Sequence, residues 1–355
     1  MIIEEEIYKT KLLDKYKKYF KFLNNYEESV DVHEVLPQSI RKNFEDDMLD
    51  LKSKISLLDK EYKFIEKLKH VYGFMNNLEC AKINSITYKS FLEVEKNESI
   101  RNTLRTFKPI RGNSKNVKYS AISNVTGRII VKEGPSILTL PKKYRSILNS
   151  RFENGHIISI DFSSLEPRLC LKLSNKETSK DLYEEINEML ELNLNRSVIK
   201  RAIISVLYGA HYTSLKDISE VKSKALFECI REYFDLNNIL KMSKNIDEHG
   251  IRRNTEGRPL WNLDEEKENI LINNFIQSSA VDIALGYFSN LSNLINKEES
   301  VILFVLHDAV ILDVKDSYLN SIKEIAEKGY DHPTLGNFPL KLETFNNISR
   351  INNEY

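Results

Sequence analysis

Two aspartates in this 355-residue chain stand where a charged group is costly. Asp161 lies near the end of His156-Ile157-Ile158-Ser159-Ile160-Asp161-Phe162, a run that predicts a buried strand. Asp308 sits in the middle of fourteen mostly aliphatic residues, Val301 to Val314, that predict two more. Burying an unpaired carboxylate costs several kcal/mol, so something positive must meet each one, yet no lysine or arginine is close along those strands. A pair of divalent cations would serve both, and carboxylates on rigid strands are hard oxygen ligands suited to magnesium. A turn or a helix cap is the simpler account of either aspartate taken singly; their matched settings put the metal reading beside it.

A second group of residues could handle phosphates. Arg196, Lys200, Ile204 and Tyr208 recur every fourth residue and predict one stripe of a helix, with Val198, Ile199, Ala202, Ile203 and Val206 on its apolar face and Gly209 as its stop. An arginine and a lysine one turn apart can grip a polyphosphate, and the tyrosine ring offers a surface for a base. Taken alone, a solvated helix with a snorkelling lysine explains the same stripe.

Holding such groups in place requires a core. With 41% hydrophobic and 29% charged residues the chain can bury one, split over two or three domains. Basic and acidic residues number 52 each, and that zero balance argues against a chain that coats nucleic acid by bulk charge. The distribution says otherwise. Residues 101–150 hold eleven basic residues and one acid, Glu133, a net of +10 that the rest of the chain cancels. Three of the eight prolines and three of the eleven glycines fall there too, predicting loops and short strands fit to track phosphates, while Ile129-Ile130-Val131 and Ile137-Leu138-Thr139-Leu140 argue against a free linker.

Residues 1 to about 105 read as helical, with apolar spacing at Leu49, Ile55, Leu58, Phe64, Leu68 and Tyr72. Beyond 150 the pattern predicts a strand over 156–162, helices through 164–245 and a helix over 268–296. Two strands then flank Leu306-His307-Asp308-Ala309, followed by a helix over about 315–329 and a strand over 340–345. The fold class is α+β. No apolar run reaches the length of a membrane span, the acidic amino terminus carries no targeting pattern, and Cys80, Cys170 and Cys229 lie far apart. The expectation is a soluble, cytoplasmic protein in a reduced compartment with no membrane partner.

These residues carry a resemblance. Asp161-Phe162-Ser163-Ser164-Leu165-Glu166-Pro167-Arg168 resembles motif A of the family A, bacterial polymerase I-like DNA polymerases, usually D-Y-S-x-I-E-x-R. Arg196-x3-Lys200-x7-Tyr208-Gly209 looks like motif B, and Leu306-His307-Asp308-Ala309 looks like motif C, usually V-H-D-E. Thr126-Gly127-Arg128 with Pro135 and Pro141, then Gly257-Arg258, then Asn273-x3-Gln277-x4-Asp282 follow the family's order, so the similarity covers roughly 115 to 350.

The resemblance implies a right-hand polymerase fold with an antiparallel palm sheet, helical fingers and a helical thumb-like N-terminal region. Residues 1–105 would be thumb-like, 106–163 the basic segment and first part of the palm, 164–262 the fingers, and 263–355 the rest of the palm with the motif C hairpin. By the same resemblance Asp161, Asp308 and the backbone carbonyl of Phe162 would bind two magnesium ions, for which manganese could substitute, and activate a primer 3′-hydroxyl. Arg196 and Lys200 would hold the triphosphate of a deoxynucleotide, Lys200 also being the candidate proton donor to the leaving pyrophosphate. Ile204 and Tyr208 would border the nucleotide, and Glu166 would fill the space of a ribose 2′-hydroxyl. Arg128, Arg168, Arg258, Asn273, Gln277 and His307 would contact primer-template DNA.

The chain departs from the family pattern at Ala309, usually glutamate, at Ile204, usually aromatic, and at Asn269, where arginine is common. Those departures motivate the rival reading of a non-catalytic nucleic-acid-binding or priming accessory protein with a degenerate polymerase fold. A single-subunit RNA polymerase-like enzyme is a further alternative, against which Glu166 counts, and a nuclease would leave motif B without a task. The first 110 residues suffice for a thumb-like unit but not for an exonuclease domain as well, and show no D-x-E strand motif with later partner aspartates, so no 3′-to-5′ exonuclease is expected within this chain.

Overall fold

A computed structural model describes residues 36–57, 59–177, 181–191, 194–215, 220–248, 250–260 and 267–346. The helical expectation for residues 1–35 and the core position Leu58 lie outside what is described, as does the side chain of Ile55. The chain divides into two units, residues 1–66 and 67–355. In the first, the described residues form helix α1 (Gln38–Leu57) and the opening of α2 (Asp59–Asn76). Leu49, counted on the apolar face, is 64% exposed and is no core residue.

The second unit continues through β1 (Lys82–Ile83), α3 (Ser85–Val94), α4 (Glu98–Arg105), β2 (Lys118–Ser120), β3 (Ile130–Glu133) and β4 (Leu148–Asn149). Asn84 and Asn97 start α3 and α4, each side-chain oxygen accepting from the N–H groups two and three residues on. The basic segment folds into loops, short strands and 3-10 turns, with Ile129, Ile137 and Leu140 buried beneath it. There follow β5 (His156–Phe162), α5 (Leu165–Leu173), α6 (Leu182–Met189), α7 (Arg196–Leu207), α8 (Glu220–Tyr233), α9 (Leu236–Lys244) and α10 (Glu268–Leu294). The chain then runs through β6 (Ser300–Leu306), β7 (Ala309–Val314), α11 (Leu319–Lys328), β8 (Tyr330–His332), β9 (Gly336–Phe338) and β10 (Leu340–Thr344).

One four-stranded sheet, ordered β10-β5-β7-β6 and antiparallel throughout, organises this unit. The two aliphatic strands β5 and β7 take the inner places, and β7 is buried along its whole length, which is why their sequences run apolar instead of alternating. Register sets Asp161 opposite Ala309 on one side and Lys341 on the other. The β6–β7 hairpin closes on two residues, His307 and Asp308, and His307 takes the left-handed conformation, φ +42°, that so tight a closure requires.

Two hydrophobic cores share the unit. One joins the sheet to α3, α4 and the C-terminal half of α10; the other gathers α6, α7, α8 and α9 around the N-terminal half of α10. At 27 residues, about 40 Å, α10 is long enough to serve both: Leu271, Ile272, Phe275 and Ile276 lie in the second, Ala280 through Leu291 in the first. Helix α5 spans the same divide, with Leu165 and Leu169 in the sheet core and Cys170 and Leu171 in the helical one. The two cores part within α5 and α10, and Tyr88 of α3 and Leu104 of α4 lie in the core of the sheet. Among the described residues no helix is long and apolar enough to cross a membrane.

Candidate active site

The sheet brings the two aspartates to one end. Asp161 is the penultimate residue of β5, Asp308 completes the β6–β7 turn, and the Phe162 N–H donates to the Asp308 carbonyl at 3.1 Å, fastening the turn to the strand. The Phe162 ring sits among Tyr287 and Phe288 of α10 with Tyr330 and Phe338, at centroid distances of 5.6 to 6.4 Å, and so pins the strand end that carries Asp161. Burial, with Asp308 and Glu343 nearby, pushes the Asp161 carboxyl up to about 7, against the opposing pull of Lys341 and Lys200. Asp308, at the exposed tip of the hairpin, is also raised, chiefly by desolvation against the surrounding wall. His307 is lowered by desolvation and by Arg128.

A cleft of about 250 Å³ opens above them where the two cores part, lined by Arg128, Glu166, Lys200, Ile204, Tyr208, His307 and both aspartates, with Tyr183 at its side. Helix α7 delivers the middle three. Asn195 caps its start, accepting from the Ser197 N–H at 2.9 Å. Its end is a Schellman turn: the Gly209 N–H donates to Val206 and the Ala210 N–H to Ser205. Gly209 is required twice over, by its φ of +84° and because a β-carbon there would lie 2.4 Å from that of Asn269 on α10. Lys200, Ile204 and Tyr208 thus face the cleft as the periodicity predicts, but Arg196 turns aside, its Nε donating to Asp181 at 2.9 Å.

Across the cleft Tyr208 meets Glu166. The phenol donates to both carboxylate oxygens, at 2.8 and 3.0 Å, and Arg128 Nη2 approaches the phenol oxygen at 3.5 Å. Burial raises the Glu166 carboxyl while the Tyr208 hydrogen bond and the Arg128 charge pull it back. Burial and the neighbouring carboxylate together raise the Tyr208 phenol. Sequence spacing assigns each residue separately; the bond that couples them comes from the fold.

The six expected DNA contacts divide. Arg128 and His307 line the cleft. Gln277 donates to Asn273 at 2.6 Å along α10, and neither lines the cleft. Arg258 and Arg168 are 4% and 6% exposed and bond within the protein. Arg168 donates to the Ser163 carbonyl at the turn after β5. Arg258 forms a forked ion pair with Asp282, at 2.6 and 2.8 Å, and donates to the Ala121 carbonyl. Asn254 joins them, donating to Asp282 at 2.8 Å. A β-carbon on Gly127 would lie 2.4 Å from the Arg258 guanidinium, so the loop carrying Arg128 rests directly on this buried pair. The sequence shows Gly127, Arg258 and Asp282 at suggestive spacing but contains no signal that the three meet.

The donor set can be tested against divalent metal at Asp161, whose Oδ1 is buried with no hydrogen-bond partner among the described residues. An orphaned carboxylate oxygen beside a second raised carboxylate is what a cation would satisfy, so the residues fit. Among the described residues no three His, Cys, Asp or Glu side chains gather as a metal cluster, leaving two carboxylates and backbone oxygens as donors.

Comparison with known proteins bears on the fold and the family. No curated protein matches the chain. Among solved structures, the POL domain of Pol1 from M. smegmatis, in complex with DNA primer-template and dNTP, aligns with a TM-score of 0.59 at 16% identity. The match covers 81% of this chain and 64% of that one, and supports the α+β polymerase fold. The family model for DNA polymerase family A matches residues 87–346, which take in the sheet, the cleft and all three motifs, and the chain belongs to that family.

Proposed function

We propose that this chain is a template-directed DNA polymerase that adds deoxynucleotides to a primer 3′-hydroxyl, with primer-template DNA and deoxynucleoside triphosphates as its partners. One observation carries the reading: the two sheet aspartates, one with an orphaned oxygen, face Lys200 and the Glu166–Tyr208 pair across a single cleft. Family membership and the likeness to a polymerase bound to primer-template and dNTP support it.

Asp161, Asp308 and the Phe162 carbonyl would hold two magnesium ions, which when bound supply Lewis-acid activation of the attacking hydroxyl and charge neutralisation at the phosphate. Lys200 stands one helical turn from Ile204 and two from Tyr208, so a triphosphate on it places its sugar and base toward those residues. As an ammonium it holds the phosphates and can give a proton to the departing pyrophosphate. Glu166, fixed by Tyr208, occupies space beside the sugar and excludes a 2′-hydroxyl. The 355 residues carry no proofreading 3′-to-5′ exonuclease in this reading, and excision of a mismatched primer terminus by the pure protein would refute that part.

The deciding experiment is primer extension with deoxy- and ribonucleotides on DNA and RNA templates with added magnesium. Extension with deoxynucleotides is expected; none under varied metal, salt and template overturns the proposal.

A further inference from the structure

Of the four residues on the α7 stripe, Arg196 alone is engaged elsewhere. Its Nε donates to Asp181 Oδ2 at 2.9 Å, and its guanidinium lies 4.8 Å over the Tyr183 ring. Both partners are themselves anchored. Asp181 Oδ1 accepts the N–H groups of Tyr183 and Glu184 at 3.0 and 3.3 Å, capping α6. The Tyr183 hydroxyl bonds Ser164 at 2.7 Å, just after the strand that carries Asp161. The arginine is therefore held by a carboxylate and a ring whose positions the fold fixes independently.

We propose that Asp181 is a built-in competitor for the nucleotide's phosphates: it occupies Arg196 until a triphosphate draws the guanidinium away. This deepens the proposed function and rests on Arg196 being a triphosphate ligand. The chemistry of exchange is favourable, because a guanidinium presents the same fork of N–H donors to a carboxylate as to a phosphate, and the triphosphate carries more charge. Its side chains being 49% and 39% exposed, the pair is of the kind that contributes little and dissolves readily. It thus sets a modest threshold on binding and keeps an arginine ordered that would otherwise roam.

Asp181→Asn separates the charge from the cap, since asparagine caps a helix as well as aspartate does. The probe is deoxynucleotide affinity for the full chain on a primer-template ended by a dideoxynucleotide, so that binding is read without chemistry. Asp181→Asn is expected to tighten the Kd about two- to fivefold. Asp181→Ser, also a good cap without charge, is expected to do the same, and neither gain survives in an Arg196→Ala background. Unchanged or weaker binding in both Asp181 variants, with Arg196→Ala still weakening it, overturns the competitor and leaves the polymerase reading standing. If Arg196→Ala itself leaves the affinity unchanged, Arg196 is no phosphate ligand and the proposal falls with that assignment.

Discussion

Tyr208 donates its phenol proton between the two carboxylate oxygens of Glu166, at 2.8 and 3.0 Å, and so fixes a half-buried acid across the cleft from the end of α7. A carboxylate held in this way cannot swing aside for an extra hydroxyl. Glu166→Ala is expected to admit ribonucleotides. Tyr208→Phe keeps the ring, frees the acid, and is expected to relax sugar discrimination by about ten- to a hundredfold, the worth of a charged hydrogen bond. The check is the ratio of kcat/KM for deoxy- and ribonucleotides in each variant. An unchanged ratio in Glu166→Ala would remove Glu166 from sugar selection.

Asp161→Ala and Asp308→Ala should each abolish extension, by about a thousandfold or more, with the fold intact by circular dichroism. Retained extension in either variant would mean that the paired carboxylates do not hold the reaction centre.

The raised Asp161 carboxyl makes stability depend on pH in a definite direction. Its value is about 7 in the fold against 3.8 for the ordinary side chain, so the folded state keeps the proton longer than the unfolded chain. Without metal, this group's contribution falls as pH rises from about 4 to about 7, and the cost is complete above 7. Asp161→Asn escapes that cost. Its Tm should match wild type near pH 4 and exceed it by about 2–5 °C at pH 8. Added magnesium should raise the wild-type Tm at pH 8 and leave the variant's nearly unchanged. A gap independent of pH would contradict the assignment.

Arg258 and Gly127 form the seat of Arg128. Asp282→Asn leaves a buried guanidinium without its counter-charge and is expected to cost about 3–5 kcal/mol in urea unfolding. Gly127→Ala meets both the Arg258 guanidinium and a φ of +69°. It is expected to weaken primer-template binding as the Arg128 loop lifts, measured by fluorescence anisotropy. Normal affinity in that variant would show that the seat does not position Arg128.

Much of the frame is legible along the chain because its signals are local. The run ending at Asp161-Phe162 and the aliphatic pair around His307-Asp308 are strands because inner strands of a sheet need apolar residues on both faces. The stripe at 196, 200, 204 and 208 lies on one helix that stops at Gly209, because helical period and a left-handed C-terminal turn are written in neighbouring residues. Leu49 shows the limit: helical spacing marks a face, not whether anything covers it. Arg168 and Arg258 show another, since a cation's place in a motif does not reveal the protein partners it meets in the fold.

The sequence by itself determined which side chains are candidates for the proposed chemistry, Asp161, Asp308, Lys200, Tyr208 and Glu166, and which elements hold them. The tertiary structure alone decided who meets whom: Glu166 under Tyr208, Asp181 on Arg196, Arg258 beneath Gly127, and Lys341 beside Asp161. Each of these pairs spans from 15 to 180 residues of chain. Periodicity and capping act over a few residues, whereas such contacts depend on how sheet register and two adjoining cores bring distant segments together.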